Sequence, residues 1–288
     1  MNKVYPNFLI IGANKAGTSS LHEYLGQHPE IFMSSVKEPM YFRYAYSGEN
    51  LIGEEEHFED GTAYSLKGYL NLFEKAGNAK AIGESSTTYL ANPDCAIRIR
   101  EFNPDMKIIA VLRNPIDRAF SNYKMYINWG IEDKSFNRVV KDEVDGKKTH
   151  SPQGRKYLEL GLYANSILKY LDTFGKEQMR IFLYEDLKSP SSIYKEIFTF
   201  LNVNPDFEVD DSLRHNVSHN LSYNPLFRSI QKKLSSRNIP NSFIPNFFMP
   251  KIDNESMRIL QDFYRDDIRK LEEIISKDLS HWQHTSKI

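Results

Sequence analysis

The chain has few of the features that mark secreted or membrane-spanning proteins. Its 288 residues include a single cysteine, Cys95, so no disulfide can form within the chain, and this usage fits a reducing compartment. No run of about 18 apolar residues occurs, so we expect no membrane span. The first strand pattern begins almost at the first residue, so we expect no signal peptide and a cytoplasmic protein.

An excess of charge and clusters of metal ligands are also missing. The formal net charge is −1, from 37 basic and 38 acidic residues, so no global field favours nucleic acid or an anionic membrane as a partner. No group of His, Cys and acidic residues has metal-ligand spacing, so we expect no metal. With 40% apolar and 26% charged residues, the composition is that of an ordinary globular protein. We predict one domain over residues 1–288.

Apolar runs and helical patterns alternate along the chain. This alternation predicts an α/β fold, with a central parallel sheet flanked by helices. The predicted strands are Phe8–Ile11, Ile31–Met33, Ala79–Glu84, Lys107–Leu112 and Met179–Tyr184. Residues 129–156 are charged and weakly periodic, and we expect them to form a mobile lid or insertion.

The stretch from Phe8 to Leu21 is the strongest local pattern in the chain. A buried strand runs into a glycine loop with Gly12, Lys15 and Gly17, and a helical pattern follows. We expect Thr18 or Ser19 to cap this helix. Free N–H groups at a helix start, together with the positive end of its dipole, form an anion site.

The loop is similar to a nucleotide-phosphate loop but differs in the position of its lysine. In Gly-x4-Gly-Lys-[Ser/Thr], the lysine follows the second glycine and the next hydroxyl holds Mg²⁺. Here Thr18 follows Gly17, and the lysine lies earlier, at Lys15. A ligand made of a metal and a triphosphate is therefore less suitable.

A second polar segment follows the predicted strand Lys107–Leu112. Arg113 comes directly after it, and Asn114 and Pro115 suit the cap and first turn of a helix that contains Ser121. Ligands of parallel sheets bind beyond the carboxyl ends of the strands. We therefore expect the loops after Ile11, Gly83 and Leu112 to meet at one edge.

These two motifs together resemble those of the PAPS-dependent sulfotransferases, in the style of the bacterial and glycan-modifying branch. The resemblance implies PAPS as donor and PAP as product. It assigns Arg113 and Ser121, eight residues apart, to the 3′-phosphate. It implies that the 5′-phosphosulfate is bound by Lys15, Ala16, Gly17, Thr18, Ser19 and Ser20.

The resemblance also implies two catalytic residues. Sulfuryl transfer needs a cation for the leaving phosphate and a base for the acceptor hydroxyl. Lys15 suits the first role. Glu38, in the segment Lys37–Phe42, resembles the catalytic glutamate of the glycan-modifying branch and suits the second.

The chain departs from the family pattern at two positions. Cytosolic members have a tryptophan for adenine stacking where this chain has Ser20, so the adenine platform is unassigned. A family segment that often has Lys-Thr-Pro has Ser85 in place of the lysine.

The prediction is a sulfotransferase that acts on a hydroxyl, or less favourably an amine, of a carbohydrate or small molecule. The aromatic side chains of Tyr41, Phe42, Tyr44 and Tyr46 are candidates to line the acceptor pocket. One alternative is a kinase-like P-loop enzyme that uses ATP and Mg²⁺. The other is a non-catalytic nucleotide-binding protein on the same fold.

Overall fold

The computed structural model describes residues 4–44, 65–129, 131–147, 157–188, 190–210 and 250–283. The chain folds into two compact units. The first comprises Met1–Arg113, Tyr163–Asn216 and Arg269–Lys277, and the second comprises Asn114–Leu162, Val217–Ile268 and Asp278–Ile288. No helix within the described ranges is both long enough and apolar enough to cross a bilayer.

The first unit contains a parallel sheet of five strands. The strands are β1 (Phe8–Ile10), β2 (Ile31–Met33), β3 (Ala81–Ser85), β4 (Lys107–Leu112) and β5 (Met179–Leu183). Their order across the sheet is β2-β3-β1-β4-β5, and every pair is parallel. β1 therefore lies in the centre, between β3 and β4. The predicted α/β class with a central parallel sheet is confirmed.

The helices of the first unit follow the strands along the chain. They are α1 (Thr18–Leu25), α2 (Tyr41–Tyr44), α3 (Leu66–Asn71), α4 (Thr87–Ala91), α5 (Cys95–Phe102), α8 (Ala164–Phe174) and α9 (Pro190–Leu201). Every residue of β1 and β3 is buried, and so are all but the first residue of β4. Strands that are buried throughout need cover on both faces of the sheet, which explains the apolar runs of β1 and of β4 after Lys107.

The second unit is helical. It contains α6 (Pro115–Asn128), α7 (Phe136–Val144) and most of α10 (Asn254–Ile275). The Asn114 side chain caps α6 by accepting from the Ile116 and Asp117 backbone N–H groups, as the sequence predicts.

The helix α7 lies inside the stretch 129–156, where the sequence pattern is weak. Ser135 caps it, and Phe136, Val139 and Val140 form its buried face. Only nine residues carry this periodicity, so the charged residues around them mask it in a longer window. Residues 130 and 148–156 lie outside the described residues, and the lid stays a prediction.

Gly83 lets β3 approach β1 closely. A Cβ at this position would lie 2.6 Å from two Phe8 ring carbons and from the Phe8 carbonyl oxygen. We expect Gly83→Ala to lower the free energy of unfolding by about 1–3 kcal/mol in urea titrations, because the added methyl overpacks this contact. Gly26→Ala is the matched control, because its Cβ would have no neighbour closer than 3.4 Å and its free energy of unfolding should fall less. An equal loss of unfolding free energy in both variants would show that the close contact of Gly83 with Phe8 is not the cause.

Candidate functional site

The candidate site lies at the carboxyl edge of the three central strands, in the first unit. The chain order puts β3 on one side of β1 and β4 on the other, so β1 is a topological switch point. Such a point opens a crevice in which ligands of parallel sheets bind. The segments that leave β1, β3 and β4 here contain the glycine loop, Ser86 and Arg113.

The glycine loop is bound tightly to β4. The backbone N–H of Ile11 donates to Ile109 O at 2.9 Å, and that of Ala13 donates to Val111 O at 2.7 Å. A Cβ on Gly12 would lie 2.6 Å from Val111 O, so only glycine allows this approach. Backbone contacts with β4 thus fix the start of the loop.

Two residues of the loop adopt left-handed backbone conformations, Lys15 with φ 69° and Gly17 with φ 87°. Gly17 is the N-cap of α1, and no side chain caps the helix there. The expectation that Thr18 or Ser19 caps the helix is therefore wrong: both lie inside the first turn, because Gly17 makes the entry turn with its own φ. The N-cap residue has no side chain to accept from the first N–H groups of the helix, which suits an anion at this position.

The other loop residues differ in exposure. Ala16 and Thr18 are buried, whereas Lys15, Ser19 and Ser20 are half-exposed. All six residues assigned to the 5′-phosphosulfate, Lys15 to Ser20, lie in this turn or in the first turn of α1.

Arg113 contacts this loop directly. Its Nη1 donates to the Lys15 carbonyl at 2.8 Å, and its guanidinium carbon lies 4.5 Å from the centre of the Tyr184 ring. Its Nε is buried and has no hydrogen-bond partner among the described residues.

Sequence reasoning missed Tyr184. Its ring also lies 3.2 Å from where a Cβ on Gly17 would be, so it supports both the loop and Arg113. The sequence prediction placed it inside the fifth strand, but β5 ends at Leu183 and Tyr184 is the first residue past it. The signal that singled out Arg113, a position directly after a strand, was therefore not visible for Tyr184 in the sequence.

Ser121, the other residue assigned to the 3′-phosphate, lies on α6 in the second unit and is 7% exposed. Its role stays a prediction from the sequence pattern.

Glu38 is held at the junction between β3 and α4. Its Oε2 accepts from the Thr87 backbone N–H at 2.8 Å, its Oε1 pairs with Lys37 Nζ at 2.8 Å, and the Thr87 hydroxyl reaches both oxygens. Its own N–H donates to Ser85 O at 2.9 Å. The side chains of Lys37 and Glu38 are 28% and 22% exposed, so this pair is half-buried. The carboxylate has a fixed orientation and remains accessible.

A second carboxyl, that of Glu84, lies behind this junction and is fully buried. Its Oε2 accepts from the Ser86 hydroxyl at 2.9 Å, and its Oε1 accepts from the Tyr69 hydroxyl at 3.5 Å. Burial raises the pKa of Glu84 to about 8, against the effect of these hydroxyl donors. Glu84 is therefore mostly protonated at neutral pH.

His22 ties α1 to the segment that leads to Glu38. Its Nε2 lies 3.1 Å from Ser34 O, and because a carbonyl only accepts, Nε2 carries the proton. Its Nδ1 is buried without a hydrogen-bond partner in the described ranges, and burial lowers the pKa of the ring. A neutral imidazole therefore anchors this segment at neutral pH.

The aromatic side chains expected to line an acceptor pocket belong to the core instead. Tyr41 is stacked on Tyr69 with ring centroids 4.5 Å apart, and Phe42 is fully buried against Tyr69, Tyr89 and Phe102. The prediction is wrong for Tyr41 and Phe42, because α2 turns both rings inward. Tyr44 is half-exposed, and Tyr46 lies outside the described residues.

This arrangement combines a turn suited to an anion, a guanidinium against the turn and an oriented carboxylate. In the described ranges, no group of three or more His, Cys, Asp or Glu side chains is arranged to hold a metal ion. The metal-free expectation stays a prediction.

Comparisons with known proteins agree with this chemistry. The chain belongs to the sulfotransferase family, because the family profile described as "Sulfotransferase domain" matches residues 5–282. The predicted resemblance to this family is confirmed. The family uses PAPS as its sulfuryl donor.

A solved structure of similar length is among the relatives. The crystal structure of a sulfotransferase from Alicyclobacillus acidocaldarius is 31% identical, with a TM-score of 0.76 over 98% of this chain and 100% of that chain. The membrane-associated sulfotransferase kil1 of Dictyostelium discoideum is 32% identical over 54% of this chain. The bifunctional heparan sulfate N-deacetylase/N-sulfotransferase 4 of Mus musculus is 27% identical over 96% of this chain. The match spans 31% of the length of each of these two curated relatives.

The buried carboxyl of Glu84 predicts a pH-dependent stability. Its pKa is 4.5 when unfolded and about 8 when folded, so the folded state binds more protons between these values. The free energy of unfolding should fall as the pH rises from 4.5 to about 8, by up to about 1.4 kcal/mol per pH unit. Urea unfolding of Glu84→Gln, which is neutral throughout, should lack this component.

The exposed Glu101→Gln on α5 is the control and should keep the wild-type pH dependence. Parallel curves for the wild type and Glu84→Gln across this range would show that Glu84 does not titrate as described.

Proposed function

We propose that this chain transfers a sulfuryl group from PAPS to a hydroxyl, or less favourably an amine, of a carbohydrate or small-molecule acceptor. Membership of the sulfotransferase family supports the reaction class. The name of the Mus musculus relative, a heparan sulfate N-sulfotransferase, supports a carbohydrate among the acceptor classes.

The contact between Arg113 and the glycine loop is the observation that carries the proposal. PAPS has two separate anionic groups, a 5′-phosphosulfate and a 3′-phosphate, so it needs two cationic or N–H-rich clamps within the length of one nucleotide. The turn that ends at Gly17 supplies one and the Arg113 guanidinium the other. The buried Nε of Arg113, without a partner among the described residues, suits such an anion. The sequence pattern also assigns Ser121 to the 3′-phosphate.

Lys15 and Glu38 have complementary roles in the proposed reaction. The bond between sulfur and the phosphate oxygen breaks while a bond between sulfur and the acceptor oxygen forms. Glu38 accepts the proton of the acceptor hydroxyl, and the Lys15 ammonium stabilises the charge on the departing phosphate. Lys37 and Thr87 hold the Glu38 carboxylate in a fixed orientation.

The donor assignment predicts binding of adenosine 3′,5′-bisphosphate without magnesium. This nucleotide should raise the melting temperature of the wild-type protein, and Arg113→Ala should weaken its affinity by roughly tenfold or more, since a charged hydrogen bond contributes about 1.5–3 kcal/mol. Titration calorimetry measures the affinity.

Arg180→Ala is the matched control. Arg180 also lies over an aromatic ring, Phe200 at 4.6 Å, and donates to backbone carbonyls, but it lies towards the amino end of the sheet. Its variant should keep the nucleotide affinity. A melting-temperature shift only with ATP and magnesium would favour the kinase-like alternative, and equal affinities for the wild type and Arg113→Ala would refute the clamp.

The base assignment predicts a separate effect on turnover. Glu38→Gln should keep the nucleotide affinity but lower turnover by roughly 10²–10⁴, because an amide cannot accept the proton. Turnover is the release of adenosine 3′,5′-bisphosphate from PAPS, with an acceptor found in a screen of sugars, phenols and lipids. The exposed Glu23→Gln on α1 is the control.

Unchanged turnover in Glu38→Gln would remove Glu38 from the role. Nucleotide binding by the wild type with no transfer to any acceptor in the screen would favour the non-catalytic alternative.

A further inference from the structure

The segment that carries Glu38 has a strained backbone. We call residues 34–40 the base loop. Two of its non-glycine residues, Glu38 with φ 58° and Met40 with φ 55°, are in the left-handed region, which costs about 1 kcal/mol or more for each. Such a conformation persists only where surrounding contacts enforce it.

The junction between β3 and α4 supplies those contacts. Ser85 O accepts from the Glu38 N–H, and the Thr87 N–H donates to the Glu38 carboxylate. The third contact is different in kind: the hydroxyl of Ser86 accepts from the Met40 N–H at 3.2 Å. A side chain outside the base loop thus holds the backbone of one of its two left-handed residues.

The buried carboxyl of Glu84 orients this hydroxyl. Ser86 donates its one proton to Glu84 Oε2 at 2.9 Å, with the acid proton of Glu84 on Oε1, and this leaves the Ser86 oxygen lone pairs for the Met40 N–H. Glu84 and Ser86 are both 0% exposed, so bulk water does not compete for these bonds.

We infer that Ser86, oriented by Glu84, is a positioning residue for the proposed base Glu38, through the backbone of Met40. This inference rests on the proposed function. Glu84 and Ser86 are fully buried and do not touch the proposed donor or acceptor. They act by fixing the direction of the carboxylate that accepts the proton.

The neighbouring residue shows that Ser86 is more than a small buried side chain. Ser85 is also 0% exposed, yet its hydroxyl has no hydrogen-bond partner in the described part of the chain. Ser85→Ala and Ser86→Ala therefore remove the same atom from adjacent buried positions, and only the second removes a link to the base loop.

The first measurement needs no acceptor. Hydrogen exchange of the peptide that spans residues 34–44 should accelerate about two- to tenfold in Ser86→Ala, the range that loss of one hydrogen bond allows. It should stay at the wild-type rate in Ser85→Ala. Equal rates in Ser86→Ala and the wild type would overturn the inference.

The second measurement separates positioning from general support of the fold. Ser86→Ala should lower kcat by roughly tenfold or more and keep the affinity for adenosine 3′,5′-bisphosphate, because a misplaced base slows only proton transfer. Ser85→Ala should keep both. If Ser86→Ala does not fold, Ser86→Cys serves instead, because its thiol fills the site but accepts hydrogen bonds weakly.

A double variant tests whether Ser86 acts through Glu38. In the Glu38→Gln background, Ser86→Ala should cause no further loss of kcat, since the base that it positions is already absent. Multiplied losses would overturn this inference and leave the proposed function intact. An unchanged kcat in Glu38→Gln alone would instead remove the base assignment itself.

Discussion

The candidate site depends on the hydrogen bond from the Arg113 guanidinium to the Lys15 carbonyl, which joins residues 98 positions apart in the chain. The carbonyl is presented by the left-handed turn at Lys15 and Gly17, and the Tyr184 ring lies against the guanidinium. An arginine has five N–H donors in a rigid fork, so one donor can fix the loop while others remain for an anion. The Arg113 side chain therefore both holds the turn and places a positive charge beside it. A lysine would supply the charge, but its flexible stem would not fix the directions of its N–H groups.

The junction from Glu84 to Thr87 imposes a second constraint on the first unit. Glu84 is buried among hydroxyl groups, Ser86 bridges it to the Met40 N–H, and Thr87 binds Glu38. Because burial raises the pKa of Glu84 to about 8, this carboxyl lowers the stability of the fold at neutral pH. An apolar residue of similar size at the same position would not have this cost. The proposed function gives this cost a reason, because Glu84 orients the Ser86 hydroxyl and that hydroxyl holds the strained base loop. Strain at a functional site lowers the stability of the fold and persists only where surrounding contacts enforce it.

The sequence was sufficient for the parts of this fold that depend on local pattern. The run Lys107–Leu112 matches β4 residue for residue, and the strand order then brings Arg113 to the loop of Lys15. The failures are tertiary in origin. Thr18 and Ser19 have good capping side chains, but the φ of Gly17 decides where α1 begins. Tyr41 and Phe42 form an aromatic patch at the end of a polar loop, and only their packing against Tyr69 and Phe102 shows that they are core residues. Glu84 gave no signal at all, because its pKa arises from burial and no pattern in the sequence encodes that burial.

The strand order also gives the proposed reaction a direction. Glu38 is bound to the end of β3 through Ser85, whereas Arg113 follows β4, and these strands flank β1 on opposite sides. The glycine loop leaves the central strand, between the proposed base and the Arg113 clamp. In-line displacement requires the attacking oxygen and the leaving oxygen on opposite sides of sulfur. With the donor phosphates held on the β1 and β4 side, the acceptor of the proposed reaction approaches from the β3 side. Contacts that choose the acceptor should therefore come from the β2 and β3 half of this edge, and changes on the β4 side should alter donor affinity first.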